Sequence, residues 1–174
     1  MINGQTQVYT GNGKGKTTAA IGQAVRAAGK GYRVFFGQFI KDVEYNEIGI
    51  LRSIGGITVK LFGTGTGCLI GREPEPADYE CAANALTEIH EAMNSGKYDL
   101  IVCDEINVAM VLGFIKEEDI LNLISAKPSY IELVLTGRGA TDQIIKMADL
   151  VTEMKEVKHY YNTKNLKARD GIER

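Results

Sequence analysis

The feature that most constrains this chain is a run of nine residues near its start, Thr10-Gly11-Asn12-Gly13-Lys14-Gly15-Lys16-Thr17-Thr18, which carries glycine at every second position from Gly11 to Gly15. Val8 and Tyr9 precede it as a short apolar stretch, and Ala19, Ala20 and Ile21 follow it with a small-residue helix pattern. A strand that turns through alternating glycines into a helix lets successive backbone N–H groups curl around an anion, with the positive helix end behind them. The ligand class is therefore phosphate. Lys16 adds a mobile cation, and Thr17 offers a hydroxyl for Mg²⁺. Thr10 stands where the strict pattern G-x-x-x-x-G-K-[ST] has its first glycine, so Gly11 is expected to make the turn out of the strand. The competing reading, a glycine-rich turn that merely caps a helix, is disfavoured by the strand before it and the helix after it.

A chain of 174 residues with 44% hydrophobic content can bury one good core, and no linker or repeat divides it, so a single domain spanning residues 1–174 is expected. The formal charge of -2 and an isoelectric point of about 5.8 lack the basic excess of a nucleic-acid binder, which leaves phosphate binding as a local property. The first residues have neither the charged nor the apolar region of a signal peptide, and no apolar run reaches membrane-spanning length, so a cytoplasmic location with no membrane partner is expected. Cys68, Cys81 and Cys103 are odd in number and lack C-x-x-C spacing, which favours reduced thiols over a disulfide framework or a zinc site.

Apolar runs rich in β-branched and aromatic residues predict six strands, at residues 7–10, 33–40, 57–62, 100–104, 131–135 and 150–154. Helical patterns lie between them at 17–28, 44–53, 78–94, 106–126 with a break near Gly113, and 141–147. Nearly continuous apolar strands such as Leu100-Ile101-Val102-Cys103 suit a mostly parallel sheet covered on both faces, an α/β architecture. Ligands of such sheets bind beyond the carboxyl ends of the strands. That edge is expected to carry the phosphate loop, Lys41-Asp42, residues 63–71, Asp104-Glu105 and Thr136-Gly137-Arg138.

Asp104-Glu105 closes one of the buried runs and resembles a Walker B element, two carboxylates set where the Mg²⁺ of a nucleotide sits. Helix capping by Asp104 ahead of Ile106 is the alternative. Arg138, between Gly137 and Gly139 after another buried strand, can project its fork of donors towards phosphate, or simply lie solvated in a turn. The last twenty residues are the most basic part of the chain and read as a solvated surface by composition alone. His159 has the residue type of a ligand or acid–base group, since an imidazole titrates near neutrality, but beside Tyr160 and Tyr161 the packed or exposed reading is favoured; His90, within a helical pattern, carries only that reading.

Gly11 to Ala20, Gln38-Phe39-Ile40-Lys41, Asp104-Glu105, Thr136-Gly137-Arg138-Gly139, Val157-Lys158-His159 and Lys167-Ala168-Arg169-Asp170-Gly171-Ile172-Glu173 together resemble the P-loop class of ATP:corrinoid adenosyltransferases over nearly the whole chain. The resemblance implies a RecA-like P-loop fold and transfer of the 5′-deoxyadenosyl group of ATP to the Co(I) of a reduced corrinoid, with release of triphosphate. It implies that Gly11, Asn12, Gly13, Lys14, Gly15, Lys16, Thr17 and Thr18 hold the triphosphate and that Arg138 supports the nucleotide site. Thr17, Asp104 and Glu105 become the candidates for Mg²⁺ (or Mn²⁺), and Lys16, Thr17 and Glu105 the groups closest to the chemistry. A homodimer served by an electron-donating flavoprotein reductase is also implied. Two departures bear on corrinoid capture: Cys68 and Ile70 stand where well-known members carry Phe and Trp, and little chain precedes the first strand. The alternatives are a P-loop ATPase or kinase that attacks the γ-phosphate, and a non-enzymatic module that senses ATP.

Overall fold

The computed structural model describes residues 3–41, 44–64 and 73–173. The chain runs β1 (Thr6–Thr10), α1 (Lys16–Gly29), β2 (Val34–Phe39), α2 (Asn46–Ser53), β3 (Ile57–Phe62), α3 (Pro76–Asn94), β4 (Leu100–Asp104), α4 (Ile106–Val111), α5 (Glu117–Ala126), β5 (Glu132–Thr136), α6 (Asp142–Met147), β6 (Leu150–Glu153) and α7 (Tyr160–Lys164). The six described strands form one all-parallel sheet in the order β3-β2-β4-β5-β1-β6. The phosphate-loop strand β1 and the carboxylate strand β4 are thus separated by β5, which brings the Thr136-Gly137-Arg138 turn between the loop and Asp104.

Period-two alternation explains why the central strands are apolar throughout. Val8, Phe35, Phe39, Ile101, Cys103, Leu133 and Leu135 pack into one cluster with Ala82, Ile89, Ile106, Leu123 and Ile144 from α3 to α6. Their neighbours Tyr9, Val34, Phe36, Leu100, Val102 and Val134 pack on the opposite face with Ala20, Ala24 and Ala27 of α1 and Leu51 of α2. Each fully buried large side chain, Phe36 or Ile101 for example, contributes about 1.5–3 kcal/mol. The alanine stripe of α1 lets that helix lie close to the sheet, which seats its first turn at the strand ends.

Element boundaries moved where caps act. The helix expected at 78–94 starts at Pro76, because Glu75 and Asp78 form a capping box. The break expected near Gly113 in the run 106–126 is present: two helices flank it, with Gly113 at φ 77° between them. Helix α7 was not anticipated, since five residues headed by His159 carry no apolar periodicity. Among the described residues no helix is long and apolar enough to cross a membrane.

Candidate functional site

The loop between β1 and α1 is built from backbone. Gly11 (φ 93°) and Gly15 (φ 119°) occupy the left-handed region, where a side chain is strained. Gly13 is a glycine for a different reason: its N–H donates to the Met154 carbonyl at 2.6 Å, and an added Cβ would come within 2.7 Å of that oxygen. Thr10, in place of the expected glycine, is buried, and its hydroxyl accepts from the Ala140 N–H at 3.4 Å, tying the loop strand to the Arg138 turn. Lys16 lies against its own loop, donating to the carbonyls of Gly11 and Gly13, both at 2.8 Å. Burial, followed by the nearby charge of Arg138, holds its ammonium pKa below the ordinary lysine value.

Asp104 is fully buried at the end of β4. Its Oδ1 accepts from the Thr136 hydroxyl at 2.6 Å, and its Oδ2 accepts from Gln38 Nε2 at 2.8 Å and the Thr17 hydroxyl at 3.3 Å. Three strands and the loop therefore converge on one carboxylate. Glu105 takes the N-cap position of α4 at φ 61° and makes no capping hydrogen bond with its side chain, so neither carboxylate is used as a helix cap. Such a left-handed non-glycine residue costs on the order of 1–3 kcal/mol, and the bond from its N–H to Thr136 Oγ1 at 2.9 Å helps to hold it. Burial, then the charge of Asp104, raises the Glu105 carboxyl pKa; Lys41, Lys16 and Arg138 oppose the shift.

Strand β2 leaves the sheet through a second strained residue. Lys41 N–H donates to the Phe39 carbonyl at 2.7 Å across Ile40 at φ 69°, a γ-turn that a β-branched residue adopts only under constraint. The turn delivers the Lys41 ammonium 4.0 Å from both Asp104 Oδ2 and Glu105 Oε1, and 5.3 Å from the centre of the Tyr45 ring.

These groups border one cleft of about 690 Å³, lined by residues 12–18, Lys41, Tyr45, Asn46, Glu105, Arg138 and the terminal segment at His159, Ala168, Gly171, Ile172 and Glu173. Of the residues expected from sequence, Asn12, Gly13, Lys14, Gly15, Lys16, Thr17, Thr18, Glu105 and Arg138 line it directly. Gly11 forms part of the loop's underside against Met154, and Asp104 lies beneath Thr17. Asp42, Cys68 and Ile70, with the rest of 65–72, lie outside the described residues. Sequence reasoning missed the work of Gln38 and Thr136, whose signal is a polar side chain at or next to the carboxyl end of a mostly apolar strand. His159, weighed in the sequence between a ligand or acid–base role and a packed or exposed position, is partly buried, accepts from the Tyr161 N–H through Nδ1 at 3.0 Å, and borders the cleft. Cys103 is buried in the core, with its thiol pKa pushed up by burial, as an unreactive cysteine should be.

A glycine-rich loop on β1, a caged carboxylate on β4 and a third strand between them define a RecA-like P-loop protein. A KaiC-like protein from Pyrococcus horikoshii shares this fold with a TM-score of 0.58 at 14% identity, over 90% of this chain and 75% of that one. Sequence then narrows the class. The family profile of the ATP:corrinoid adenosyltransferases BtuR/CobO/CobP matches residues 2–174. The corrinoid adenosyltransferase CobA of Salmonella typhimurium is 34% identical over 168 residues, covering 95% of this chain and 83% of its own. The corrinoid adenosyltransferase of Pseudomonas aeruginosa is 35% identical over 169 residues, covering 95% and 81%. The chain belongs to the ATP:corrinoid adenosyltransferase family, enzymes that transfer an adenosyl group from ATP to a corrinoid.

Proposed function

We propose that the triphosphate of ATP lies along residues 11–18, with C5′ turned towards a corrinoid whose cobalt is in the Co(I) state. The carrying observation is the convergence of Lys16, Thr17, Glu105 and Arg138 on a single cleft at the carboxyl ends of the strands. The Co(I) lone pair forms a bond to C5′, the bond from C5′ to the α-phosphate oxygen breaks, and its electrons leave on intact triphosphate. No catalytic base is needed. The protein's tasks are to hold C5′ in line and to stabilise charge on the leaving group. Lys16 exchanges the Gly11 and Gly13 carbonyls for phosphate oxygens, whose charge offsets the burial and the Arg138 cation that lower its proton affinity. Arg138 offers further donors from the neighbouring turn.

Thr17, Asp104 and Glu105 are the groups for Mg²⁺ or Mn²⁺, and the residues fit such an ion. By donating its one proton to Asp104, the Thr17 hydroxyl keeps its lone pairs for a cation. Gln38 Oε1 is a buried acceptor without a hydrogen-bond partner among the described residues, an unfilled polar place next to the Asp104 carboxylate. Reversing that amide would set its oxygen against the Asp104 carboxylate, so the orientation follows from charge. An ion that arrives with nucleotide phosphates and keeps several waters needs only one or two protein carboxylates. When bound, the ion neutralises triphosphate charge. The family resemblance supports a cytoplasmic homodimer supplied with electrons by a flavoprotein reductase.

The test is an anaerobic assay with ATP, Mg²⁺ and chemically generated cob(I)alamin, followed by absorbance and by analysis of the phosphate product. Adenosylcobalamin with equimolar triphosphate is expected. Stoichiometric ADP and phosphate with no cobalt–carbon bond would overturn the reading in favour of γ-phosphate chemistry, and ATP binding without turnover would favour a sensing module.

A further inference from the structure

The chain beyond β6 crosses the open side of the cleft. The described backbone hydrogen bonds made by residues 160–173 stay within this segment or return to His159: Asn162 and Thr163 N–H to His159, Asn165 to Tyr161, Leu166 to Tyr160, and Ile172 and Glu173 to Arg169. It joins the remainder of the cleft through side chains. Asn46 Nδ2, at the start of α2, donates to Asp170 Oδ1 at 2.8 Å. On the opposite side, Lys14 Nζ of the phosphate loop donates to the Ile172 carbonyl at 2.9 Å and stands 3.6 Å from Glu173 Oε1. The segment thus bridges from α2 to the phosphate loop.

Glu173 is where its contacts meet. Oε1 accepts from the Tyr160 hydroxyl and from Arg169 Nη2 at 2.9 Å, while Oε2 accepts from Arg169 N at 2.8 Å and Nε at 3.2 Å. The Arg169 guanidinium also lies 5.3 Å from the centre of the Tyr160 ring. A bidentate arginine fork reinforced by a backbone N–H and a phenol fixes geometry as well as charge. The side chain of Glu173 is only 12% exposed, at the end of a run, residues 161–172, that is exposed throughout. Charge at the junction is unequal: Lys14 and Arg169 bring two cations to the one carboxylate of Glu173. An anion in the loop therefore adds a partner for Lys14 without requiring the strap to let go.

We propose that Glu173 is a positioning residue that holds residues 159–173 as a strap across the nucleotide cleft, and that Lys14 is shared between this strap and the triphosphate. The inference rests on the reading that the cleft binds ATP. Held by a few side chains and, among the described residues, by no strand pairing, the strap opens locally while the sheet stays folded. Its closure slows loss of the nucleotide and leaves the bond-breaking step alone.

The experiment measures adenosyl transfer and tryptic cleavage after Lys164, Lys167 and Arg169, with and without inorganic triphosphate, in the full chain and in Glu173→Gln, Glu173→Ala and Arg169→Lys. Wild type should transfer the adenosyl group and gain protection of the strap from triphosphate. Glu173→Ala should raise KM for ATP about tenfold with kcat within about twofold, and cleave early with or without triphosphate. Arg169→Lys, which keeps the charge but loses the fork, should fall between the two. Wild-type KM and cleavage in both Glu173 variants would overturn the proposal, as would a loss of kcat at unchanged KM. Should Glu173→Ala fail to fold, Glu173→Gln and Arg169→Lys carry the same two readouts. Failure of the wild-type chain itself to bind ATP or triphosphate would instead remove the functional reading beneath it.

Discussion

Residues 11–18 and residues 159–173 form facing walls of the same cleft, yet they are built from different materials. The first wall is backbone: Gly13 N–H bonds to Met154, Met154 N–H bonds to Thr10, and an added Cβ at Gly11 or Gly13 would meet backbone atoms within 3.0 Å. The second is side chain: Glu173, Arg169, Tyr160, Lys14, Asp170 and Asn46 hold an exposed segment whose glycine, Gly171, has open space around it. A wall of backbone is rigid before any ligand arrives, as electrostatic stabilisation requires. A wall of side chains can open and close, as entry and release require. Asp104 and Glu105 repeat the contrast at smaller scale, one carboxylate fully caged and the other turned to the cleft.

The largest expected effect comes from removing Lys16, the cation of the rigid wall that lies against its own loop. Lys16→Ala should lower kcat/KM on the order of 10²-fold or more, while circular dichroism and the melting temperature stay close to wild type. Near-normal kcat/KM would take Lys16 out of the site and dissolve the contrast. Gly13→Ala tests rigidity directly, since its Cβ would lie 2.7 Å from the Met154 carbonyl oxygen. It should cost about 1–3 kcal/mol, read as a fall in Tm of about 2–4 °C per kcal/mol, together with weaker ATP binding. A variant as stable and as tight as wild type would show that the loop tolerates displacement.

Glu105→Gln keeps the shape and removes the charge, so the Mg²⁺ midpoint should rise on the order of tenfold. Without metal the same variant should lose a pH slope. Because the folded protein raises the Glu105 pKa, the unliganded chain loses stability as pH climbs from the ordinary carboxylate range towards the raised value, and the amide removes this loss. An unchanged midpoint and an unchanged slope would make Glu105 a packing residue. The smallest effect belongs to the strap. Glu173 is held well below the usual carboxylate range, first by Arg169 and then by Tyr160, so its contribution is complete above about pH 4.3 and weakens as pH falls below it. Protection of residues 160–173 against hydrogen exchange, taken relative to the intrinsic rate at each pH, should fall there before that of residues 11–18, and this fall should vanish in Glu173→Gln. Simultaneous loosening of both walls would show that they are one unit.

Much of this division was open to reading along the chain. Alternating glycines before Lys16 and Thr17 have few other uses, and strands apolar at every position demand cover on both faces, so the loop, the parallel sheet and its ligand edge were legible without coordinates. Asp104-Glu105 was legible as a pair, but its two roles were not, because Asp104 is distinguished by Gln38, Thr136 and Thr17, which lie 66, 32 and 87 residues away in sequence. The γ-turn at Ile40 was equally hidden, since nothing about an isoleucine announces a positive φ.

Local chemistry determined what is local in this protein: where strands turn into helices, which turn can cradle phosphate, and which residues must be buried on both sides of a sheet. Tertiary structure alone decided that β5 stands between β1 and β4, that one carboxylate is enclosed while its neighbour faces the cleft, and that a basic terminal segment returns to Lys14. The physical reason is range. Backbone preference and hydrophobic period act over a few residues, whereas a hydrogen bond between Lys14 and Ile172 spans 158 positions and exists only after the sheet has brought its ends together.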